Sequence, residues 1–334
     1  MFRYFGSKAS TASVVANIAL DGYKDATVAD AFGGLGNIGA EFKKRGCSVT
    51  ACDLLHFPNA FQHVRLVCEG LPNFSRVRKF LGVDSEEDIL SYLNSQFSDG
   101  CWFAKEYAEA RGFFTATNAA KIGAVWLKIK SWKNLELIDI DEEKFLIASL
   151  LNSMDAVANT AGTYYAYLKG WDRKSLKEFS FEWYRGVVKG PKGIAVRGDA
   201  LSYLTDKSFE ILYLDPPYNG RDYSRYYHLP ETLAKFEEVS IDSNSKCGQP
   251  ILRSTVGTQI RNAMKLPYLM ELINSVHWER LVVQYADGAH ICLNELKQAL
   301  GGQGTLTVHE IPALGYQSTN GTRQHTHHVF VIDK

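Results

Sequence analysis

A chain of 334 residues with 46% hydrophobic content and nine prolines is long enough for one large or two smaller folded domains, and too apolar to be disordered. No apolar run is long enough to span a bilayer, and Met1-Phe2-Arg3-Tyr4-Phe5-Gly6 has no hydrophobic leader, so neither a membrane nor a secreted protein is expected. Formal net charge is +0, which does not advertise a polyanion partner, and the cysteines at 47, 52, 68, 101, 247 and 292 have no C-x-x-C or zinc spacing, so reduced thiols, no metal and a cytoplasmic setting are expected.

Arg3-Tyr4-Phe5-Gly6-Ser7-Lys8 is an aromatic, glycine and basic segment ahead of a helical pattern (Val14, Val15, Ile18, Ala19). A single lysine such as Lys8 at a helix start is ordinarily a solvated charge. Thr27 to Phe32, which contains Asp30, reads as a first strand, and Gly33-Gly34-Leu35-Gly36 as the tight turn after it. Asn37 to Arg45 then has helical spacing, with Gly46 as a C-cap. Ser48 to Asp53 is a second strand ending on an acid about twenty residues beyond the glycines, the layout of a nucleoside-binding half. There, glycines let the backbone approach the ligand and the acid accepts from ribose hydroxyls. Gly34, Gly36 and Gly39 also fit G-x-G-x-x-G, which taken alone puts a nicotinamide dinucleotide first; a βαβ unit without any ligand is the plain alternative.

From about 57 to 193 no clear sheet strand is found, and the stretch reads as an inserted, mostly helical region. Ser85-Glu86-Glu87-Asp88 opens a short helix, and Asp141-Glu142-Glu143 caps a longer one whose apolar stripe runs from Phe145 to Val157. Between 169 and 198 there are eight bases against three acids, interleaved or preceded by Tyr164, Tyr165, Tyr167, Trp171, Trp183 and Tyr184. Charge runs are usually solvated faces; the aromatics among them raise a nucleic-acid reading.

Ile194 to Asp199 is a short strand ending in an acid, followed by Ile211-Leu212-Tyr213-Leu214-Asp215-Pro216-Pro217-Tyr218. Neither proline has an N–H, so a buried strand must leave the sheet at Asp215. Asn219 to His228 should be an exposed loop. Arg280 to Tyr285 is another strand, and Thr305 to Ile311 and His328 to Ile332 form an antiparallel pair joined through Gly315, Asn320, Gly321 and Arg323. The sum is an α/β fold with a seven-stranded sheet, a hairpin at one edge, and an insert.

Asp-Pro-Pro-Tyr suits one chemistry. The lone pair of an exocyclic aromatic amine is delocalised into its ring, which makes the amine a poor nucleophile. Two acceptors aimed at its hydrogens, the Asp215 carboxylate and the Pro216 carbonyl, would localise that pair and point it outward. Tyr218 would stack on the base, a contact worth ~1–3 kcal/mol in nucleic-acid sites.

With these residues in hand the chain resembles DNA N6-adenine methyltransferases of the Dam and FokI-modification type, over most of its length and in the family's motif order. The resemblance implies a Rossmann-like methyltransferase domain at 1–56 and 194–334 and a target-recognition insert at 57–193. It implies S-adenosylmethionine as cofactor, held by Tyr4, Lys8, Asp30, Phe32, Gly33, Gly34, Gly36, Asp53, Asp199 and Asp215. Catalysis would fall to Asp215, Pro216, Pro217 and Tyr218, with no metal, on an adenine flipped out of double-stranded DNA. A modification methylase beside a cognate restriction endonuclease, or an orphan or phage-type enzyme, is implied, in the cytoplasm near the nucleoid. Residues 60–190 and 219–265 are expected to supply most DNA contacts. An RNA adenine-N6 or cytosine-N4 methyltransferase stands as the alternative; a nicotinamide-dependent oxidoreductase leaves Asp-Pro-Pro-Tyr unexplained, and a degenerate binding protein is opposed by the intact motifs.

Overall fold

The computed structural model describes residues 2–5, 8–217, 222–251, 256–318 and 321–334, with backbone alone over 313–318 and 321–325. The chain divides into two units. A sheet unit comprises Gly6–Val67, Val188–Asp222 and Thr255–Lys334, and a helical unit comprises Met1–Phe5, Cys68–Val187 and Tyr223–Ser254.

In the sheet unit, β1 (Thr27–Asp30), β2 (Ser48–Asp53), β3 (Ile194–Arg197), β4 (Ser208–Leu214), β5 (His277–Ala286), β6 (Thr305–Ser318) and β7 (Gly321–Asp333) form one sheet in the order β3-β2-β1-β4-β5-β7-β6. The first five strands are parallel, and β7 runs antiparallel between β5 and β6. This is the expected α/β sheet with its C-terminal antiparallel pair. The expected connection is narrower than the sequence suggested: Gly315 lies inside β6, and Gly321 and Arg323 inside β7, with Ser318 opposite Gly321. Asn320 falls outside the described residues.

Side-chain alternation explains why β4 reads as an unbroken apolar run. Ile211 and Tyr213 enter one core layer with Val28, Val49, Val282 and the helices Ala12–Ala19 and Asn37–Lys44. Leu212 and Leu214 enter the opposite layer with Ala29, Leu281, Val283 and the helix Leu266–Ser275. A parallel strand buried on both faces has no polar face to show. Strand order reverses on either side of β1, and open α/β sheets bind ligands at the carboxyl ends of strands flanking such a point.

The boundaries of the two units differ from the 57–193 insert. Residues 57–67 stay with the sheet because the helix His56–Gln62 runs into a π-helical turn, His63–Val67, that buries Leu66 in the sheet core. The Leu66 carbonyl accepts from Lys43 Nζ at 2.7 Å and from Gly193 N at 2.8 Å, which ties both ends of the insert to the sheet.

The helical unit packs Tyr107, Trp126, Trp132 and Leu146 among the helices Glu86–Asn94, Ala116–Asn134, Ile140–Ala156 and His228–Lys235. Ser85 and Asp88 form a capping box, and so do Asp139 and Glu142; Asp141, Glu142 and Glu143 thus make the first turn of the longer helix, and Asp139 is its cap. From Val157 to Gly193 no regular element forms, and side chains take over part of the pairing of backbone groups. Asn118 brackets Lys177 O and Phe179 N, Asn94 brackets Phe181 N and O, and Ser149 accepts from Tyr184 N.

One expectation fails here. The described part of the 219–228 stretch is not an exposed loop: Tyr223–Tyr226 is a helical turn leading into His228–Lys235, and Tyr227 and His228 are buried. The Tyr227 ring packs against Phe2 and Tyr4, and its hydroxyl accepts from Phe5 N at 2.6 Å. Aromatic rings that read as surface in a polar stretch are here the partners of the N-terminal aromatics.

Candidate active site

At the carboxyl edge of the sheet unit, β1 ends on Asp30, β2 ends on Asp53, Asp199 stands two residues past β3, and Asp215 directly follows β4. Asp30 lies opposite Tyr213 of β4 in register, and Asp215 is two residues further along that strand's path.

Asp215 is tied to the start of the chain. Lys8 Nζ sits 2.6 Å from Asp215 Oδ2, with both side chains largely out of solvent. Lys8 is held by its own backbone, whose carbonyl accepts from Thr11 N and Ala12 N at the entrance to the helix Ala12–Ala19. The solvated lysine that sequence statistics favour is thus 8% exposed. Asp215 Oδ1 is buried and has no hydrogen-bond partner among the described residues. Burial raises this carboxyl above the usual range, and Lys8 works against the rise. Pro216 is buried and Pro217 half-buried; Tyr218 lies outside the described residues.

Asp30 is more extreme. It is 1% exposed, and the backbone N–H groups of Phe32 and Gly39 compensate its charge only in part. Burial first, and the negative charge of Asp215 second, push it up to about 8. A carboxyl so placed holds a proton at neutral pH until a cation arrives.

The glycine turn is built for close approach. Gly34 and Gly36 lie in the left-handed region, with φ of 50° and 76°. A Cβ on Gly33 would stand 2.7 Å from Gln62 Nε2, and one on Gly36 3.3 Å from Gln62 Cα. Gln62 Nε2 donates to Gly34 O at 2.8 Å, while its Oε1 is buried with no donor among the described residues. Arg65, also buried, donates to Asn37 Oδ1 at the start of the following helix. Sequence reasoning missed Gln62 and Arg65. Their signal was there: Asn59, Gln62, His63 and Arg65 interrupt an otherwise apolar helix just past the second acid, and a π-turn among them is a frequent mark of a functional site.

The remaining candidates are partly engaged. Asp53 Oδ1 accepts from Leu55 N at 2.8 Å. Asp199 Oδ1 caps the helix Ala200–Leu204 through Ser202 N, and its Oδ2 accepts from the Tyr268 hydroxyl at 2.9 Å. The Tyr268 ring in turn lies 6.4 Å from that of Phe32, so Phe32, Tyr268 and Asp199 make one wall. Tyr4 belongs to the helical unit, tilted against Tyr223 and Tyr227. Within the sheet unit, therefore, Lys8, Asp30, Asp215 and the glycine turn converge. Among the described residues, Gln62 Oε1 and Asp215 Oδ1 are buried acceptors without a donor, Asn59 Nδ2 is a buried donor without an acceptor, and the Asp30 carboxyl can present either a hydroxyl or, once deprotonated, a negative charge.

Sheet order, glycine turn and the acids at the strand ends define the Rossmann-like methyltransferase class. A family model for the D12 class of N6 adenine-specific DNA methyltransferases matches residues 4–286, and the chain belongs to that family. Among curated proteins it is 28% identical, over 99% of its length, to the type II methyltransferase M.FokI of Planomicrobium okeanokoites, and 27% identical over 95% to the modification methylase StsI of Streptococcus sanguinis. It covers 52% and 49% of those two proteins, so the chain spans about half the length of these relatives. The type II methyltransferase M.NlaIII of Neisseria lactamica is 30% identical over 71% of this chain and 70% of its own.

Proposed function

We propose that this chain transfers a methyl group from S-adenosylmethionine to N6 of an adenine flipped out of double-stranded DNA, at one recurring sequence. The observation that carries the proposal is Asp215: a carboxyl at the end of β4, ahead of two prolines, with one oxygen held by Lys8 and the other buried and without a hydrogen-bond partner among the described residues. The buried polar groups of the site fit the cofactor. Asp30 and Gln62 would receive its ammonium end against the glycine turn, Asp53 its ribose, and Phe32 with Asp199 its adenine; Tyr4 and Lys8 complete the set carried over from the family. When bound, the cofactor supplies an electrophilic methyl group on a sulfonium.

The chain's own residues do the rest. Asp215 Oδ1 and the Pro216 carbonyl accept from the two N6 hydrogens, localising the lone pair. Pro217 turns the chain out of the sheet, and Tyr218 stacks on the target ring. Lys8 keeps one Asp215 oxygen occupied, so the other presents a single acceptor in a fixed direction. Positioning supplies most of the rate, since neither a metal nor a covalent enzyme intermediate is required. Residues 57–193 with 219–265 are assigned to target recognition. A cognate restriction endonuclease acting on the same site, and a place in the cytoplasm beside the nucleoid, complete the proposal; among the described residues no helix is long and apolar enough to cross a membrane.

Incubating the purified chain with S-adenosylmethionine and a plasmid free of adenine methylation, then sequencing single molecules, tests this. N6-methyladenine at one recurring motif is expected. Unmodified adenine together with calorimetric cofactor binding would redirect the substrate to RNA, and absence of cofactor binding would overturn the proposal. On the same assay Tyr218→Ala should lose more activity than Tyr218→Phe or Tyr218→Trp; equal losses would argue against stacking.

A further inference from the structure

The sheet unit carries a buried polar chain beside the end of β4. The Tyr213 hydroxyl donates to Gln284 Oε1 at 2.7 Å, and Gln284 Nε2 donates to His327 Nδ1 at 3.3 Å, which leaves the proton of that neutral imidazole on Nε2. The three residues come from β4, β5 and β7, and all are buried, Gln284 completely. Their surroundings are apolar: Tyr213 packs in one layer with Val282, Val329 and Ile311, and meets the Phe42 ring edge-on at 6.0 Å. An amide and an imidazole in such a layer carry a desolvation cost that a leucine or methionine would avoid. Packing alone does not account for them.

Their place in the register does. Leu214 lies opposite Val283, so Asp215 and Gln284 each stand one residue beyond that pair. The pairing of β4 with β5 stops there, and neither Pro216 nor Pro217 has an N–H with which to extend it. On the other side of β4, Tyr213 O accepts from Ala31 N at 3.1 Å. The side-chain bond from Tyr213 to Gln284 therefore takes over where backbone pairing with β5 ends, directly before the carboxyl that Lys8 holds.

We propose that Tyr213 and Gln284, backed by His327, are positioning residues for Asp215: they lock the end of β4 to β5 and β7, and so set the direction in which the Asp215 carboxyl points against Lys8. A satisfied buried network is stiff, because each group has a fixed partner and orientation. A reacting group displaced by about 1 Å can lose about 10²-fold in rate. The inference rests on the proposed methyl transfer for what Asp215 does, and on the strand register for how it is held.

Tyr213→Phe deletes the hydroxyl and keeps the ring, and Gln284→Met keeps the length and removes both polar atoms. Each should lower kcat for DNA methylation about tenfold or more, with KM for S-adenosylmethionine unchanged. The double variant Tyr213→Phe/Gln284→Met replaces both partners of one bond, so it should regain much of the melting temperature lost by Tyr213→Phe while kcat stays low. A role confined to stability would restore both together. A further readout needs no DNA: the Lys8 ammonium resonance in a proton–nitrogen NMR spectrum, assigned by its absence in Lys8→Arg, reports the Lys8–Asp215 pair, and Tyr213→Phe should shift or broaden it. Wild-type kcat in both single variants, recovery of kcat along with melting temperature in the double variant, or an unmoved Lys8 resonance would overturn the inference. A moved resonance in a chain that methylates no DNA would leave the positioning network standing and sink the reaction proposed above; methylation by the wild type with an unmoved resonance in Tyr213→Phe would do the reverse.

Discussion

At the scale of single residues, two buried carboxyls are both raised by burial, and one of them has a cation beside it. Asp30 sits near 8 in the folded chain against 3.8 when exposed, so the native state holds its proton more tightly than the unfolded chain does. Its stabilising contribution is therefore present at low pH and is lost as pH rises from about 4 through about 8. Asp30→Asn should remove that slope: melting temperatures of the variant and wild type are expected to diverge in the variant's favour as pH rises from about 4 to about 8, and curves that stay parallel across that range would contradict the burial argument. Binding of a cationic cofactor must also expel this proton. Calorimetry at pH 7 in buffers of different ionisation enthalpy should register proton release with the wild type and far less with Asp30→Asn. Asp215 differs in having a partner. Lys8→Met should destabilise the fold by up to about 3–5 kcal/mol, the usual result of breaking a buried pair, and by less as pH falls, because the orphaned carboxyl, already raised by burial, can then take up a proton instead. Asp215→Ala should cut methyl transfer by roughly 10²–10⁴-fold or more while leaving cofactor binding largely intact; equal loss of both would make Asp215 structural.

Elements decide how those side chains are held. The turn Gly33–Gly36 works because the helix His56–Gln62 presses Gln62 against it. Gly36→Ala forces a side chain into a left-handed backbone, at a cost of about 1–2 kcal/mol, and also crowds Gln62. Gln62→Ala should leave the turn unlatched and raise the cofactor dissociation constant several-fold, with DNA affinity unchanged; an unaltered constant would mean that the Gly34 carbonyl needs no latch. The glycines, the strand ending on Asp53 and the strand before Asp215 were all legible in the sequence, because each is set by short-range rules: positive φ, alternation, and prolines without N–H groups. Gln62 and Arg65 left only a faint signal, polar residues breaking an apolar helix, because a buried polar side chain gains its meaning once its neighbour across the turn is known. The same holds for Tyr227, which reads as a loop residue until Phe2 and Tyr4 are seen to pack on it.

For the whole molecule, the division into units matters more than the length of any insert. The helical unit takes Met1–Phe5, Cys68–Val187 and Tyr223–Ser254, so transplanting 68–187 alone into a relative would sever Trp126 from the Leu233 carbonyl it donates to at 3.0 Å. Exchange of all three segments together should yield a folded chimera whose methylated motif follows the donor, whereas exchange of 68–187 alone should lower its melting temperature; a three-segment chimera that keeps the host's motif would remove target recognition from this unit. The sequence by itself determined the α/β class, the strand that ends in Asp-Pro-Pro, the glycine turn and the family, since these depend on neighbours within a few residues and on motif order. Only the tertiary structure decided which lysine faces Asp215, which acid is buried without a cation beside it among the described residues, which tyrosines are core and which are surface, and where one unit stops and the other begins. Each of those depends on contacts between residues tens to hundreds of positions apart, and on burial, which sets the charge state of a carboxyl and which no local pattern encodes.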